Sequence, residues 1–286
     1  MSDKSYGFDT LQIHAGSRPD PTTGARQTPI YQNTAYVFRD TDHAAALFNL
    51  QEVGYIYSRL TNPTVSVLQE RIAALEGGVG GVGTSSGHAA QIMALFALMR
   101  PGDNIVASTR LYGGTVTQFS HTIRRFGWSA TFVDTDDLEA VEAAADDRTR
   151  AIFCESIANP GGYVSDIPAL AKVAERLQVP LIVDNTSATP WLCRPIEMGA
   201  TLVVHSTTKY LSGNGTSVGG AIIDSGRFDW TAAGKFPALT EPEPAYHGLK
   251  FHETFGPLAF TFHGIAIGLR DLGMTMAPMS AFQTLL

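Results

Sequence analysis

Apolar positions along the 286-residue chain fall into two alternating rhythms once the first sixty residues are passed. Val67, Leu68, Ile72 and Leu75 recur at helical spacing, and Gly77-Gly78 marks the end of that predicted helix. Ala89, Ile92, Met93 and Phe96 repeat the pattern behind Thr84-Ser85-Ser86-Gly87-His88, which reads as a helix start. Short apolar runs predict strands at 104–107, 130–134, 151–154, 181–183 and 202–204. Helical patterns lie between them at 115–126, at 136–145 with Asp136 and Glu139 as a capping pair, and at 169–177. Such alternation implies right-handed crossovers and an α/β fold with a mostly parallel, doubly wound sheet. Three parts follow: an N-terminal arm over 1–60, a large α/β domain over 61–256, and a connecting helix with the start of a further domain over 257–286. The arm rests on segment 19–29, rich in Pro, Gly and Thr without apolar period, and the connecting helix on 258–272, apolar around most of its circumference.

Composition narrows the function classes. A net charge of -7 argues against nucleic acid as partner. The N-terminus has no cationic and apolar leader, and no run is long enough to span a bilayer, so a cytoplasmic protein with no membrane partner is expected. Two cysteines, Cys154 and Cys193, form no CxxC and read as free thiols. Eight histidines show no paired-ligand spacing, and no metal is expected.

The chemistry gathers around Lys209. It follows the apolar run Leu202-Val203-Val204 in a Ser-Thr-Thr-Lys turn, where an amine can serve as a Schiff-base nucleophile. Asp184 ends the preceding strand, so in a parallel sheet Asp184 and Ser206 would emerge at one carboxyl edge, with Thr186 and Thr208 beside them. Taken singly, such an Asp is most often a cap and such a lysine solvated. Together they supply what pyridoxal 5'-phosphate (PLP) needs: a lysine for the aldehyde, an acid for the ring nitrogen, and donors for the phosphate. The Ser86-Gly87-His88 helix start offers free N–H groups to that phosphate. Gly78-Val79-Gly80-Gly81-Val82-Gly83 satisfies a dinucleotide fingerprint but follows a helix instead of a strand, which sets that reading aside.

The motifs VDNT, HSTTKY and the following Gly219-Gly220 resemble the Cys/Met-metabolism group of PLP enzymes, and nearly the whole chain continues the likeness. The resemblance implies the type I fold of PLP-dependent transferases, with Lys209 and Asp184 in the roles above and Tyr112 stacked on the cofactor ring. It places Asn159, in Glu155-x-x-x-Asn-Pro, at the phenolic oxygen, and makes His88 a backbone donor without acid–base work. Tyr57 and Arg59, in Tyr-x-Arg before Asn62-Pro63-Thr64, would reach into a neighbouring subunit's phosphate site, within a homotetramer of active-site-sharing dimers. Segment 236–255 would line the substrate entrance. Relatives continue past the position of Leu286 into a smaller C-terminal domain that carries an arginine for the substrate's α-carboxylate; without it Arg110 or Arg194 would have to serve. Gly113-Gly114, GARQTPIYQNTAYVF and YHGLKF point within the family to γ-replacement on an amino-acid substrate, O-acetyl-L-homoserine, by sulfide. A γ-elimination lyase, a cystathionine γ-synthase and a PLP-binding chain without turnover are the alternatives. Gly213-Asn214 departs from the Gly-His of many relatives.

Overall fold

The computed structural model describes residues 6–286, so the first five residues of the expected arm lie outside it. Helices α1 (Phe8–His14) and α2 (Thr41–Phe48) interrupt the arm. Helix α3 (Pro63–Glu76) begins well before its apolar period does. Asn62 accepts a hydrogen bond from the Thr64 N–H, and Pro63 presets the first turn. Gly77, left-handed at φ 77°, ends it. The irregular segment before α3 is fastened along that helix: Asn62 donates to the Tyr31 carbonyl at 2.8 Å, and the Arg71 Nε to the Ala15 carbonyl at 3.1 Å.

The chain then runs through β1 (Gly80–Thr84), α4 (Gly87–Phe96), β2 (Asn104–Ser108) and α5 (Gly113–Thr117), which continues as widened and then tightened turns to Phe126. Next come β3 (Ser129–Val133), α6 (Leu138–Ala143), β4 (Thr149–Glu155), α7 (Ile167–Leu177), β5 (Leu181–Asp184), β6 (Leu202–His205) and β7 (Gly220–Asp224). Helix α6 is capped by Asp137 and not by Asp136, whose carboxylate is taken by Arg110. Helix α7 starts earlier than the periodicity suggests, at an Asp166 cap followed by Pro168.

One seven-stranded sheet has the order β1-β7-β6-β5-β4-β2-β3. Strands β2 to β6 are mutually parallel, and β7 lies antiparallel to both its neighbours. Alternate residues feed two cores, because successive strand side chains point to opposite faces. Ala107, Phe153, Ile182 and Val204 pack on the α4 face, hereafter the front. Val106, Cys154, Val183 and Val203 pack on the α3 and α7 face, the back. Burial pushes the Cys154 thiol up to about 12, which leaves it inert.

Segment 236–255 departs from expectation. Phe236, Leu239 and Phe251 are fully buried in the front core, where Trp230 meets Phe236 edge-on at 5.4 Å and stacks on Phe260 at 5.7 Å. Its prolines and glutamates occupy short turns between aromatic anchors. The apolar run 258–272 is buried at Ala259, Phe260, Ala266 and Leu269, as its pattern predicts. No helix among the described residues is long and apolar enough to cross a membrane.

Two carboxyls at strand ends carry a stability signature. Burial pushes both Asp224, at the end of β7, and Glu155, at the end of β4, up to about 7. Asp224 accepts one hydrogen bond, from the Gly226 N–H at 2.8 Å, and its other oxygen has no partner among the described residues. A carboxyl with a raised folded pKa binds its proton more tightly when folded, so stability is lost as pH climbs from the ordinary carboxyl range to about 7. Each tenfold gain in proton affinity on folding is worth about 1.4 kcal/mol at most, so the cofactor-free protein should melt several degrees lower at pH 8 than at pH 5. Asp224→Asn should remove roughly half of that fall in a thermal scan, Glu155 supplying the rest. An unchanged slope would place the Asp224 carboxylate in a solvated setting.

Candidate active site

A cleft of about 940 Å³ opens at the carboxyl ends of β4, β5 and β6, roofed by the start of α4 and the loop before α5. Its lining brings together Ser86, Gly87, His88, Tyr112, Asn159, Asp184, Thr186, Ser206, Thr208 and Lys209. Ten positions singled out in the sequence thus share one cavity. Lys209 is exposed in the turn after β6, its N–H donating to the Ser206 carbonyl at 3.2 Å and its own carbonyl accepting from Gly213 at 2.9 Å.

Asp184 is oriented from two sides. Gln91 of α4 donates to its Oδ2 at 3.1 Å, while the Thr186 N–H and hydroxyl both donate to its Oδ1. The Thr186 hydroxyl in turn accepts the Ser206 N–H at 2.8 Å, so one side chain ties the acid to the strand that carries the lysine. Thr208 exchanges hydrogen bonds with the backbone of Gly219, which anchors the lysine turn to β7.

The start of α4 is open for an anion. Ser86 caps it by accepting from the Ala89 N–H, and the Ala90 N–H bonds the Ser86 carbonyl, which leaves the N–H groups of Gly87 and His88 as surplus donors. A side chain at Gly87 would lie 2.7 Å from the Ser206 Cβ. Only glycine lets these two walls meet.

Tyr112 presents its ring to the cleft at 49% exposure. Its N–H donates to Glu155 Oε1 at 2.6 Å, and the Asn159 N–H to the other oxygen of the same carboxyl at 2.9 Å. Desolvation raises that carboxyl against these two bonds. His88 lies beside Tyr112 with ring centroids 5.9 Å apart, and a Cβ on Gly114 would strike both rings. Burial lowers the His88 pKa despite the nearby Asp184, so the imidazole is neutral at pH 7, with Nε2 buried and unpartnered among the described residues.

Tyr57 and Arg59 are not part of this lining. Their stretch is a turn and not extended chain, since the Leu60 and Thr61 N–H groups bond the Tyr57 carbonyl; the Arg59 guanidinium lies 5.5 Å over the Tyr57 ring. Among the described residues no arginine lines the cleft at all. Arg110 is held by Asp134 and Asp136 and stacks on Tyr163, and Arg194 pairs with Glu197 at 2.7 Å, so neither is free to clamp a substrate carboxylate. No residue of 236–255 lines it either.

Gln91 and Glu155 also line the site, Gln91 unmarked in the sequence and Glu155 named there only as the start of the Asn159 motif, with no role of its own. Gln91 lies one helical turn from Gly87 and His88, on the face of α4 that looks at Asp184, and that spacing was its one signal. The residues present fit PLP: surplus N–H donors for a phosphate, an oriented carboxylate, an aromatic face and an amine along one cavity of ample size.

Comparison with known proteins agrees with that fit. The family model for Cys/Met metabolism PLP-dependent enzymes matches residues 9–286. An O-acetyl-L-homoserine sulfhydrylase of Leptospira meyeri is 49% identical over 99% of this chain, and a homocysteine synthase of Schizosaccharomyces pombe is 49% identical over 99%. The chain spans 65% and 66% of their respective lengths. A crystal structure from Campylobacter jejuni, described as an O-acetylhomoserine (thiol)-lyase carrying N'-pyridoxyl-lysine-5'-monophosphate, superposes with a TM-score of 0.95 at 42% identity, over 98% of this chain and 70% of that one. With the motif, the cleft and the whole described sheet in agreement, this chain belongs to the Cys/Met metabolism family of PLP-dependent enzymes.

Proposed function

We propose that the protein catalyses γ-replacement, converting O-acetyl-L-homoserine and sulfide to L-homocysteine and acetate with PLP bound at Lys209. The observation that carries the reading is one cavity that joins Lys209, the doubly anchored Asp184, the Tyr112 ring and the open start of α4. The names of the relatives support the choice of substrates. When bound, PLP draws electrons from the substrate's Cα and Cβ so that the acetate on Cγ can leave.

This chain's own groups do the rest. The Lys209 amine would take and return protons at the substrate's Cα and Cβ, from an exposed turn that gives its side chain reach. Asp184 would keep a proton on the ring nitrogen. Tyr112 would cover the ring, Asn159 would face its phenolic oxygen, and the Gly87 and His88 N–H groups with Ser206, all in the lining, would hold the phosphate. The neutral His88 serves through its backbone.

Assembly follows from the missing cations. A phosphate dianion and a substrate carboxylate call for positive charge, and Lys209 is the one Lys or Arg in the lining among the described residues. We assign Tyr57 and Arg59 of a second copy to the phosphate, within a homotetramer of site-sharing dimers. The purified protein, given PLP, O-acetyl-L-homoserine and sulfide, should yield homocysteine well in excess of 2-oxobutanoate. Predominant 2-oxobutanoate would favour the elimination lyase, and cofactor binding with neither product would favour a binding role.

A further inference from the structure

Behind the cleft lies a polar cluster that the mechanism above does not use. Glu76 at the end of α3, Ser156 after β4, Asn185 after β5 and His205 at the end of β6 are each at most 1% exposed. Ser156 donates to Asn185 Oδ1 at 2.7 Å. Asn185 Nδ2 donates to Glu76 Oε1 and to the Cys193 carbonyl, both at 2.8 Å, and His205 Nε2 lies 2.6 Å from that same Glu76 oxygen. Four polar side chains in an apolar back core form one connected network.

Its position along the chain gives it meaning. Ser156 follows Glu155, Asn185 follows Asp184, and His205 precedes Ser206. Side chains alternate across a sheet, so each network residue points to the back where its neighbour points to the cleft. The backbone ladder runs on past the strand ends here as well: the Ser156 N–H bonds the Asp184 carbonyl, and the Asn185 N–H the Val204 carbonyl, each at 2.9 Å. A rotation of Asn185 therefore rotates Asp184 with it. A shift of Ser156 moves the carboxyl that holds both Tyr112 and Asn159.

We propose that Glu76, Ser156, Asn185 and His205 are positioning residues that lock the three strand ends in register and so set the affinity for PLP. The proposal rests on the PLP reading above. Glu76 Oε2 and His205 Nδ1 have no partner among the described residues, but the bonds that join the three strand ends are made. Removing a bonded member strands its partner's buried polar atom, and strand ends held in register are what a preorganised site requires. Glu76 brings α3 into the lock, so the helix that fastens the N-terminal segment also reports on the cleft.

The test uses the full chain freed of PLP, titrated with PLP by visible absorbance and tryptophan quenching, with a thermal scan of each variant. Ser156→Ala, which deletes a single hydroxyl at the network's edge, should weaken PLP binding by about tenfold, and Glu76→Ala by more. Glu76→Gln keeps an oxygen for Asn185 and His205 and should restore binding to within about threefold of wild type. Leu170→Ala, a cavity in the same back core that breaks none of the network's hydrogen bonds, should lower the melting temperature at least as much as Ser156→Ala and leave PLP affinity unchanged. Ser156→Ala binding as wild type does, or Leu170→Ala weakening PLP as much as Ser156→Ala, would overturn the proposal while the cofactor reading stood. A wild-type chain that binds no PLP would overturn both.

Discussion

Lys209→Ala is expected to abolish the visible band of PLP-loaded protein and to lower turnover by about 10⁴-fold or more, the scale of losing a covalent nucleophile that also moves protons. The fold should survive intact. The side chain is exposed, and the turn is held by backbone bonds to the Ser206 carbonyl and from the Gly213 N–H together with the Thr208–Gly219 tie, none of which uses the amine. Among the described residues no other lysine lines the cleft: Lys235 donates to the Leu177 carbonyl at 2.9 Å, Lys250 pairs with Glu253 at 2.7 Å, and Lys172 lies on α7 outside the lining. Borohydride should bleach the wild-type band and leave a pyridoxyl group on the peptide containing Lys209. Recovery of that group on Lys172, Lys235 or Lys250 would end the assignment.

The place of Lys209 in the cleft was legible because the sheet is parallel. In such a sheet the residue that ends each apolar run arrives at the same edge, so Asp184, Ser206 and Lys209 could be brought together from strand order alone. Strands β4, β5 and β6 announced themselves as apolar runs, since both of their faces are covered. Strands β1 and β7 did not. In Gly80-Gly81-Val82-Gly83-Thr84 only one apolar side chain is available to show a period, and the glycines are there because Thr261, Ile223 and Val65 press against the backbone. A glycine run chosen for close approach looks like a turn in one dimension.

Segment 236–255 misled for the opposite reason. Its prolines and glutamates dominate the local composition, while Phe236 and Phe251, spaced too far apart for any period, decide where it goes. Gln91 and Glu155 carry no role in the sequence reading because their roles exist only between elements. Gln91 is an ordinary helix residue until α4 crosses Asp184, and Glu155 an ordinary strand end until two loops bring their N–H groups to its carboxyl. Tyr57 and Arg59, two apart in sequence, pair through a turn and a cation–π contact, which residue spacing alone does not show.

Asp184→Asn should cost about 10²–10⁴-fold in kcat/KM while leaving the melting temperature of the cofactor-free protein nearly unchanged. The substitution keeps the shape and one oxygen, so the Thr186 N–H and hydroxyl retain their acceptor, and the new amide can turn away from Gln91 only by giving up one of these bonds. What vanishes is the negative charge. A charge pair about 4 Å apart at an effective dielectric of 20 is worth ~4 kcal/mol, enough to raise the proton affinity of the ring nitrogen by up to roughly 10³-fold before desolvation is set against it. With a neutral amide that nitrogen should lose its proton near neutral pH, and the ring then withdraws electrons poorly. Two measurements separate this from mere loss of binding. The pH midpoint of the visible band should move down in Asp184→Asn, and lowering the assay pH should recover part of the lost activity, whereas a binding defect would be rescued by excess PLP at any pH. A variant that keeps wild-type kcat/KM within about tenfold, with its band unmoved, would mean that Asp184 holds Gln91 and Thr186 in place and nothing more.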